Sequence, residues 1–207
     1  MKRSDGEETR RKIVLTALEL FVRKGYHGTS ISDIMDRVGL TKGSFYAHFK
    51  SKGDMLLLII ERYNARYIDG MKRSANECEG DALDKLHRCI SFNAKFVTEH
   101  ENLSLFLTML TTELKADVDF EPLLKAVYRN FQGFISGIIR QGIKQGVVDE
   151  RTDPNLAALT FMALHDGVLH QWVLNRSLID PVQYVKTFRK IFMYGLASDA
   201  ARMKRPS

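Results

Sequence analysis

Between Thr29 and Lys52 the chain reads TSISDIMDRVGLTKGSFYAHFKSK, where hydroxyls, a phenol and ammonium groups alternate with apolar residues at helical spacing. Thr41, Lys42, Gly43, Ser44, Tyr46 and Ala47 are residue types that can meet a base edge or a phosphate. Gly43 and Ala47 add almost no bulk, Ser44 and Tyr46 can donate or accept, and Lys42 brings a point charge. This is the chemistry of recognition rather than of bond making. A small helical enzyme built on the His165-Asp166 pair is an alternative, but no nucleophile, glycine-rich phosphate loop or metal spacing supports it.

Two short helices joined by a turn must position those groups. Ser30 is placed to cap the first, with Asp33 reaching back as its capping-box partner, and an acid there suits the helix dipole. Ile31, Ile34, Met35 and Val38 make one apolar stripe, and Gly39 tolerates the positive φ that stops the helix. Leu40 plugs the turn and Thr41 caps a second helix predicted over roughly Lys42 to Phe49. At about 100° per residue, Phe45 and Phe49 face the core while Gly43, Ser44, Tyr46 and Ala47 face outward. Such a helix is about 12 Å long, matching a major groove about 12 Å wide. An ordinary helical hairpin with a solvated outer face is the plainer alternative.

The longer segment GYHGTSISDIMDRVGLTKGSFYAHFKSKGDML resembles the N-terminal helix-turn-helix of the TetR/AcrR family of bacterial repressors. The shared marks are the Gly-Tyr approach, the Gly-Leu turn, the Phe-Tyr-x-His-Phe recognition helix and the lysine after it. The resemblance covers about residues 7 to 67; beyond it only length, helical character and an Asp-Gly-x-x-x-x-Trp segment at Asp166 fit. It implies an all-α protein, with a three-helix DNA-binding domain over 7–67 and a helical effector-binding and dimerisation domain over 68–207. By position it implies phosphate contacts at Thr29, Tyr46 and Lys52 and a groove-facing segment from Thr41 to Ala47. His48 stands at the motif's histidine position, yet on the wheel it lies beside the Phe45 and Phe49 edge. A DNA contact and a packing or capping role both remain open for it.

Charge distribution points the same way. The net charge is +6, and residues 1–52 hold 11 Lys/Arg against 6 Asp/Glu while residues 53–207 hold 20 against 19. A basic field around the recognition unit favours phosphate approach and salt-sensitive binding. With 44% apolar residues the 207-residue chain can fill one large or two modest cores. Its longest apolar run, Met55 to Ile60, is far short of the ~18 residues of a membrane span, and no apolar segment follows Met1-Lys2-Arg3 as a signal would require. No membrane partner and a cytoplasmic location are therefore expected. Cys78 and Cys89 fit neither a zinc pattern nor a disulfide framework.

A supporting helix is predicted from Glu8 to Lys24, stopped by Gly25, and a long helix begins at Ser51 with Leu56, Ile60, Tyr63, Tyr67 and Met71 in register. Ser74 to Asp81 interrupts the pattern. Helices follow over Ala82 to Glu99, Leu103 to Leu114, from Pro122 towards Gly146, from Asp153-Pro154 to about Asn175, and from Asp180-Pro181 to about Met203. The family resemblance implies that the last two pair with a second copy, so that two recognition helices read a palindromic operator on double-stranded DNA. It also implies a small-molecule effector.

Phe92, Phe96, Phe106, Met109, Phe131, Phe134, Phe161 and Trp172 could line an apolar pocket for an apolar or amphipathic effector, with Asn93, His165 or Gln171 as polar handles. Plain core packing explains the same aromatic stripes. No cofactor is expected, and no metal, because His165 and His170 are five residues apart and diverge by about 140° on a helix. A helical protein-interaction module with non-specific DNA affinity is the other alternative.

Overall fold

A computed structural model describes residues 2–113, 121–175, 177–178 and 180–204. Apart from an isolated antiparallel bridge between Val148 and Ala197, regular structure among these residues is helical. The contacts divide the chain into two units, one formed by Met1–Ala65 with His100–Leu124, the other by Arg66–Glu99 with Lys125–Ser207.

In the first unit α1 spans Lys2–Lys24. It begins ahead of the expected Glu8, because nothing in the polar run before Glu8 forces a break: Thr9 bonds back to the Asp5 carbonyl, and Glu8 pairs with Arg11 one turn on. Ile13, Ala17, Leu20 and Phe21 are buried, and Gly25 ends the helix at φ 75°. Helix α2, Ile31–Val38, has the expected capping box and ends at Gly39 in the left-handed region, φ 78°. Hydrogen bonds from the Ser30 hydroxyl and backbone N–H hold the Asp33 carboxyl down at about 2. Helix α3, Lys42–Tyr46, is shorter than the expected span to Phe49. Its last turn tightens, with the His48 N–H donating to Phe45 three residues back, although Phe49 still bonds to Phe45.

The long helix expected after Ser51 is α4, Lys52–Tyr63, a π-helical turn over Asn64–Ile68, and α5, Asp69–Asn76. Tyr67 and Ile68, the last two residues of the wide turn, are both buried. The turn leaves Asn64 Oδ1 buried without a hydrogen-bond partner. Helix α7, Glu101–Glu113, packs on α1 in the first unit; Leu114, its expected last residue, lies outside the described residues.

The second unit is built from α5, α6 (Ala82–Glu99), α8 (Glu121–Lys144) from Lys125 onward, α9 (Pro154–Leu174), α10 (Pro181–Leu196) and α11 (Asp199–Lys204). Asp153 and Asp180 cap the two proline-initiated helices, each accepting from two backbone N–H groups. The last helix was expected to continue to about Met203 but breaks at Ala197. There the backbone turns extended so that the Ser198 N–H can reach the Val147 carbonyl, and Ser198 then caps α11. No helix among the described residues is long and apolar enough to cross a membrane.

The α6, α8 and 147–149 segments meet at Gly142, where a Cβ would lie 2.5 Å from Val148 Cγ2 and 2.9 Å from Ala82 Cβ. Gly142→Ala should therefore lower stability by about 1–3 kcal/mol through overpacking, read as a fall in the thermal midpoint. An unchanged midpoint would show that this junction yields freely.

Candidate nucleic-acid interface and effector site

The recognition unit is anchored from beneath. Phe45 and Phe49 are buried with ring centroids 5.2 Å apart, and the Arg10 guanidinium lies 5.3 Å from the Phe49 centroid. Fixing these rings fixes the opposite side of α3: Lys42, Gly43 and Ala47 are exposed, Ser44 is half-buried, and Tyr46 is 58% exposed beside Phe45. Thr41 caps α3, its Oγ1 accepting from the Ser44 N–H at 3.4 Å and sharing a 3.2 Å hydrogen bond with the Ser44 hydroxyl. Gly43 has open space outward, since a Cβ would come only within 3.6 Å of Thr41 Oγ1. A small residue is thus not required there by the protein's own packing. Among the described residues Lys42 pairs with no carboxylate, whereas Lys24 and Arg37 lie 3.4 and 3.8 Å from Asp33 and Glu19. His48 is half-buried, its ring turned towards Gly6 of α1 and against Phe49. That placement suits packing.

Two residues expected at phosphates are turned inward. The Thr29 side chain is buried and its hydroxyl donates to the Gly25 carbonyl at 2.9 Å. The Lys52 ammonium donates to the Tyr26 and Thr29 carbonyls at 2.8 and 2.9 Å and sits 4.2 Å from the Tyr26 ring centroid. Both carbonyls belong to the α1–α2 loop and have no helical partner, so the half-buried ammonium supplies donors to them. Both side chains therefore organise the fold here, and of the three expected phosphate contacts Tyr46 alone presents its side chain outward.

In the second unit the expected aromatic residues gather around Tyr67. Its ring centroid lies 4.9 Å from Phe96, 5.8 Å from Phe131, 5.9 Å from His165 and 6.2 Å from Phe92, and Phe131 in turn meets Phe161 at 6.3 Å. A polar centre is set within these rings. The Tyr67 hydroxyl donates to Asn93 Oδ1 at 2.9 Å, while His165 Nε2 lies 2.6 Å from that oxygen and 3.1 Å from the hydroxyl. His165 Nδ1 faces Asp166 Oδ1 at 3.1 Å. Phe134 is half-buried, with Lys72 Nζ 5.9 Å from its ring centroid.

Other expected lining residues belong elsewhere. Phe106 stacks on Phe21 of α1 at 5.1 Å, and Met109 on the same helix is 37% exposed, so both lie in the first unit and not with the Tyr67 group. Gln171 is exposed and bonded to Asn175 at the end of α9, and the side chain of Trp172 lies outside the described residues. Tyr67 escaped notice as a site residue because its spacing fits a helix stripe; a buried tyrosine's need for a hydroxyl partner was the available signal. Burial pushes the Cys89 thiol up to about 12, which leaves little thiolate at neutral pH.

Comparison with known proteins decides the family. The family model described as bacterial regulatory proteins, tetR family, matches residues 13–59, and that of the YsiA-like protein C-terminal region matches 61–195. The chain belongs to the TetR family. This TetR-family chain is a DNA-binding transcriptional regulator and not an enzyme. It is 24% identical over 185 residues to the fatty acid metabolism regulator protein of Bacillus subtilis, covering 89% of this chain and 94% of that one. The crystal structure of MbdR regulator from Azoarcus sp. CIB superposes with a TM-score of 0.83 at 28% identity, covering 91% of this chain and 98% of that chain. FadR from Bacillus subtilis, solved in complex with stearoyl-CoA, superposes at 0.76 and 24% identity, covering 90% and 98%.

Two substitutions separate reading from scaffolding in this TetR-family unit. Gly43→Ala should leave the thermal midpoint unchanged and reduce operator affinity about tenfold by holding the backbone off the bases, ~1.4 kcal/mol. Lys52→Ala should instead lower stability by about 1–3 kcal/mol and leave the salt dependence of DNA binding nearly unchanged. A salt slope smaller by about one for Lys52→Ala would return that ammonium to the phosphate backbone.

Proposed function

We propose that this regulator represses transcription as a homodimer on a two-fold symmetric operator, and that a coenzyme A thioester with an apolar acyl chain releases it. The recognition surface is the outer side of α3, where Thr41, Lys42, Gly43, Ser44, Tyr46 and Ala47 are available and Phe45 and Phe49 hold the helix from behind. One helix of this length reaches few base pairs, and two-fold pairing multiplies the specificity. The partner face is supplied by α9 and α10, which leave Leu156, Leu159 and Ile191 exposed at 64, 46 and 68%. Apolar residues clustered in this way on a folded chain mark an interaction face.

The observation that carries the effector reading is the aromatic group around Tyr67 with its Tyr67, Asn93 and His165 polar centre. Apolar walls with a few convergent polar atoms suit an acyl chain ending in a polar carbonyl. This group lies in the region matching the YsiA-like C-terminal model, and the similar FadR of Bacillus subtilis was solved with stearoyl-CoA. For release, the thioester must bind the DNA-incompetent arrangement more tightly than the competent one.

Selection of bound sequences from a random DNA pool should yield a two-fold symmetric site. Fluorescence anisotropy on that site should then show stearoyl-CoA lowering operator affinity at least about tenfold, with stearate and coenzyme A each much weaker. A consensus without symmetry would overturn the dimer reading. No response to stearoyl-CoA would overturn the effector reading, and tighter DNA binding with it would make the protein an activator-type switch.

A further inference from the structure

A second site in the effector-binding unit carries charge where the Tyr67 group carries rings. Helices α6, α10 and α11 enclose an open groove of about 570 Å³, with Leu83, Met193 and Ala197 among its apolar lining. Lys186, Arg189 and Lys190 project into it from α10. Among the described residues none of the three pairs with a carboxylate. Arg202, the fourth cation of the groove, is already engaged by Asp199 at 2.9 Å and by the Tyr194 carbonyl at 3.0 Å. Asp84, the one acid lining the groove, caps the start of α6 by accepting from the Asp81 N–H at 3.1 Å.

Arg189 has an unusual neighbour. Its Nη1 lies 2.5 Å from His87 Nε2, so the guanidinium donates to a neutral imidazole rather than to an anion. His87 as a residue is exposed, yet its ring is partly withdrawn from water, and this together with the Arg189 charge holds its pKa below the ordinary value; Arg88 acts in the same sense and Asp84 against it. Three cations lining one groove, none of them paired with a carboxylate among the described residues and one donating to a neutral acceptor, form a site with positive charge left for an anion.

We infer that this groove binds the phosphate and diphosphate groups of an effector's head. The inference rests on the thioester reading above, which it deepens by placing the polar end of that ligand. A volume of about 570 Å³ falls within the usual range for small-molecule sites, and multiple phosphates match three separate cations better than a lone carboxylate would. His87 and Asn93 lie on the same helix, separated by about 9 Å of rise and about 120° around its axis, so an elongated molecule that addresses both the groove and the Tyr67 group has to pass round α6. Ile191, on the proposed partner face, points about 160° away from Arg189 and Met193 around α10, so these two lining residues are turned away from that face.

The His87 Cε1 proton provides the test in the intact protein, assigned by its loss from the NMR spectrum of His87→Gln. Coenzyme A without an acyl group should raise the His87 titration midpoint, because an anion beside the ring favours its charged form. The double variant Lys186→Glu, Lys190→Glu, with its folding checked by thermal unfolding, should lose that shift and need at least about tenfold more stearoyl-CoA to release operator. An unmoved midpoint with millimolar coenzyme A and with millimolar pyrophosphate would overturn the site. Equal release of wild type and double variant by stearoyl-CoA would also overturn it while leaving the thioester reading intact. If pyrophosphate moves His87 but stearoyl-CoA releases no operator, the groove stands as a site for free phosphate anions and the thioester reading falls.

Discussion

The ammonium of Lys52 is held by the Tyr26 and Thr29 carbonyls and by the face of the Tyr26 ring, and this joins the first residue of α4 to the loop between α1 and α2. Lys52 is thereby the point at which three helices of the DNA-binding unit are referred to one another. Charge-assisted bonds to backbone carbonyls in a partly buried setting are among the stronger local restraints available. With α4 tied there, and Phe45 and Phe49 buried behind α3, the exposed side chains of α3 inherit a defined orientation. Recognition of DNA tolerates little error in that orientation, since base-edge hydrogen bonds are short and directional. The residue that looks most like a phosphate ligand therefore serves the reader through the scaffold.

The same continuous run of helix that begins at Lys52 passes through the π-helical turn and carries Tyr67 into the second unit. Its hydroxyl is bonded to Asn93, 26 residues away, and to His165, 98 residues away. A buried hydroxyl, amide and imidazole satisfying one another are costly to disturb singly, because each lost partner leaves a polar atom in apolar surroundings. A ligand that offers its own carbonyl to this group can exchange partners without leaving any of them orphaned. Differential affinity of that kind is what a two-state regulator requires, as a ligand shifts an equilibrium only by the difference in its affinity for the two states.

The second unit keeps its aromatic and its charged surfaces apart. Rings from α6, α8 and α9 surround Tyr67, while the cations of α10 stand in an open groove where water and counterions can enter. Placing the charges outside the aromatic group avoids the penalty of burying them without partners. Partial removal from water and then the neighbouring Arg189 charge both disfavour the His87 imidazolium.

Local chemistry was legible from residue order. The Ser30 and Asp33 capping box, the Gly39 stop, the Thr41 cap, the proline-initiated α9 and α10 and the buried Phe45 and Phe49 all follow from neighbours within about four residues, where backbone hydrogen bonding and helical periodicity act. Residues separated by many turns were decided only by the tertiary structure. It turned Lys52 and Thr29 inward, placed Phe106 against Phe21 instead of with Tyr67, broke the last helix at Ala197 to pair with Val148, and brought His87 to Arg189 across 102 positions. The physical reason is that a helical stripe specifies which side of an element is apolar but not which other element covers it. Partner choice is settled by packing complementarity and by satisfying buried polar groups, both of which exist only once the chain has folded.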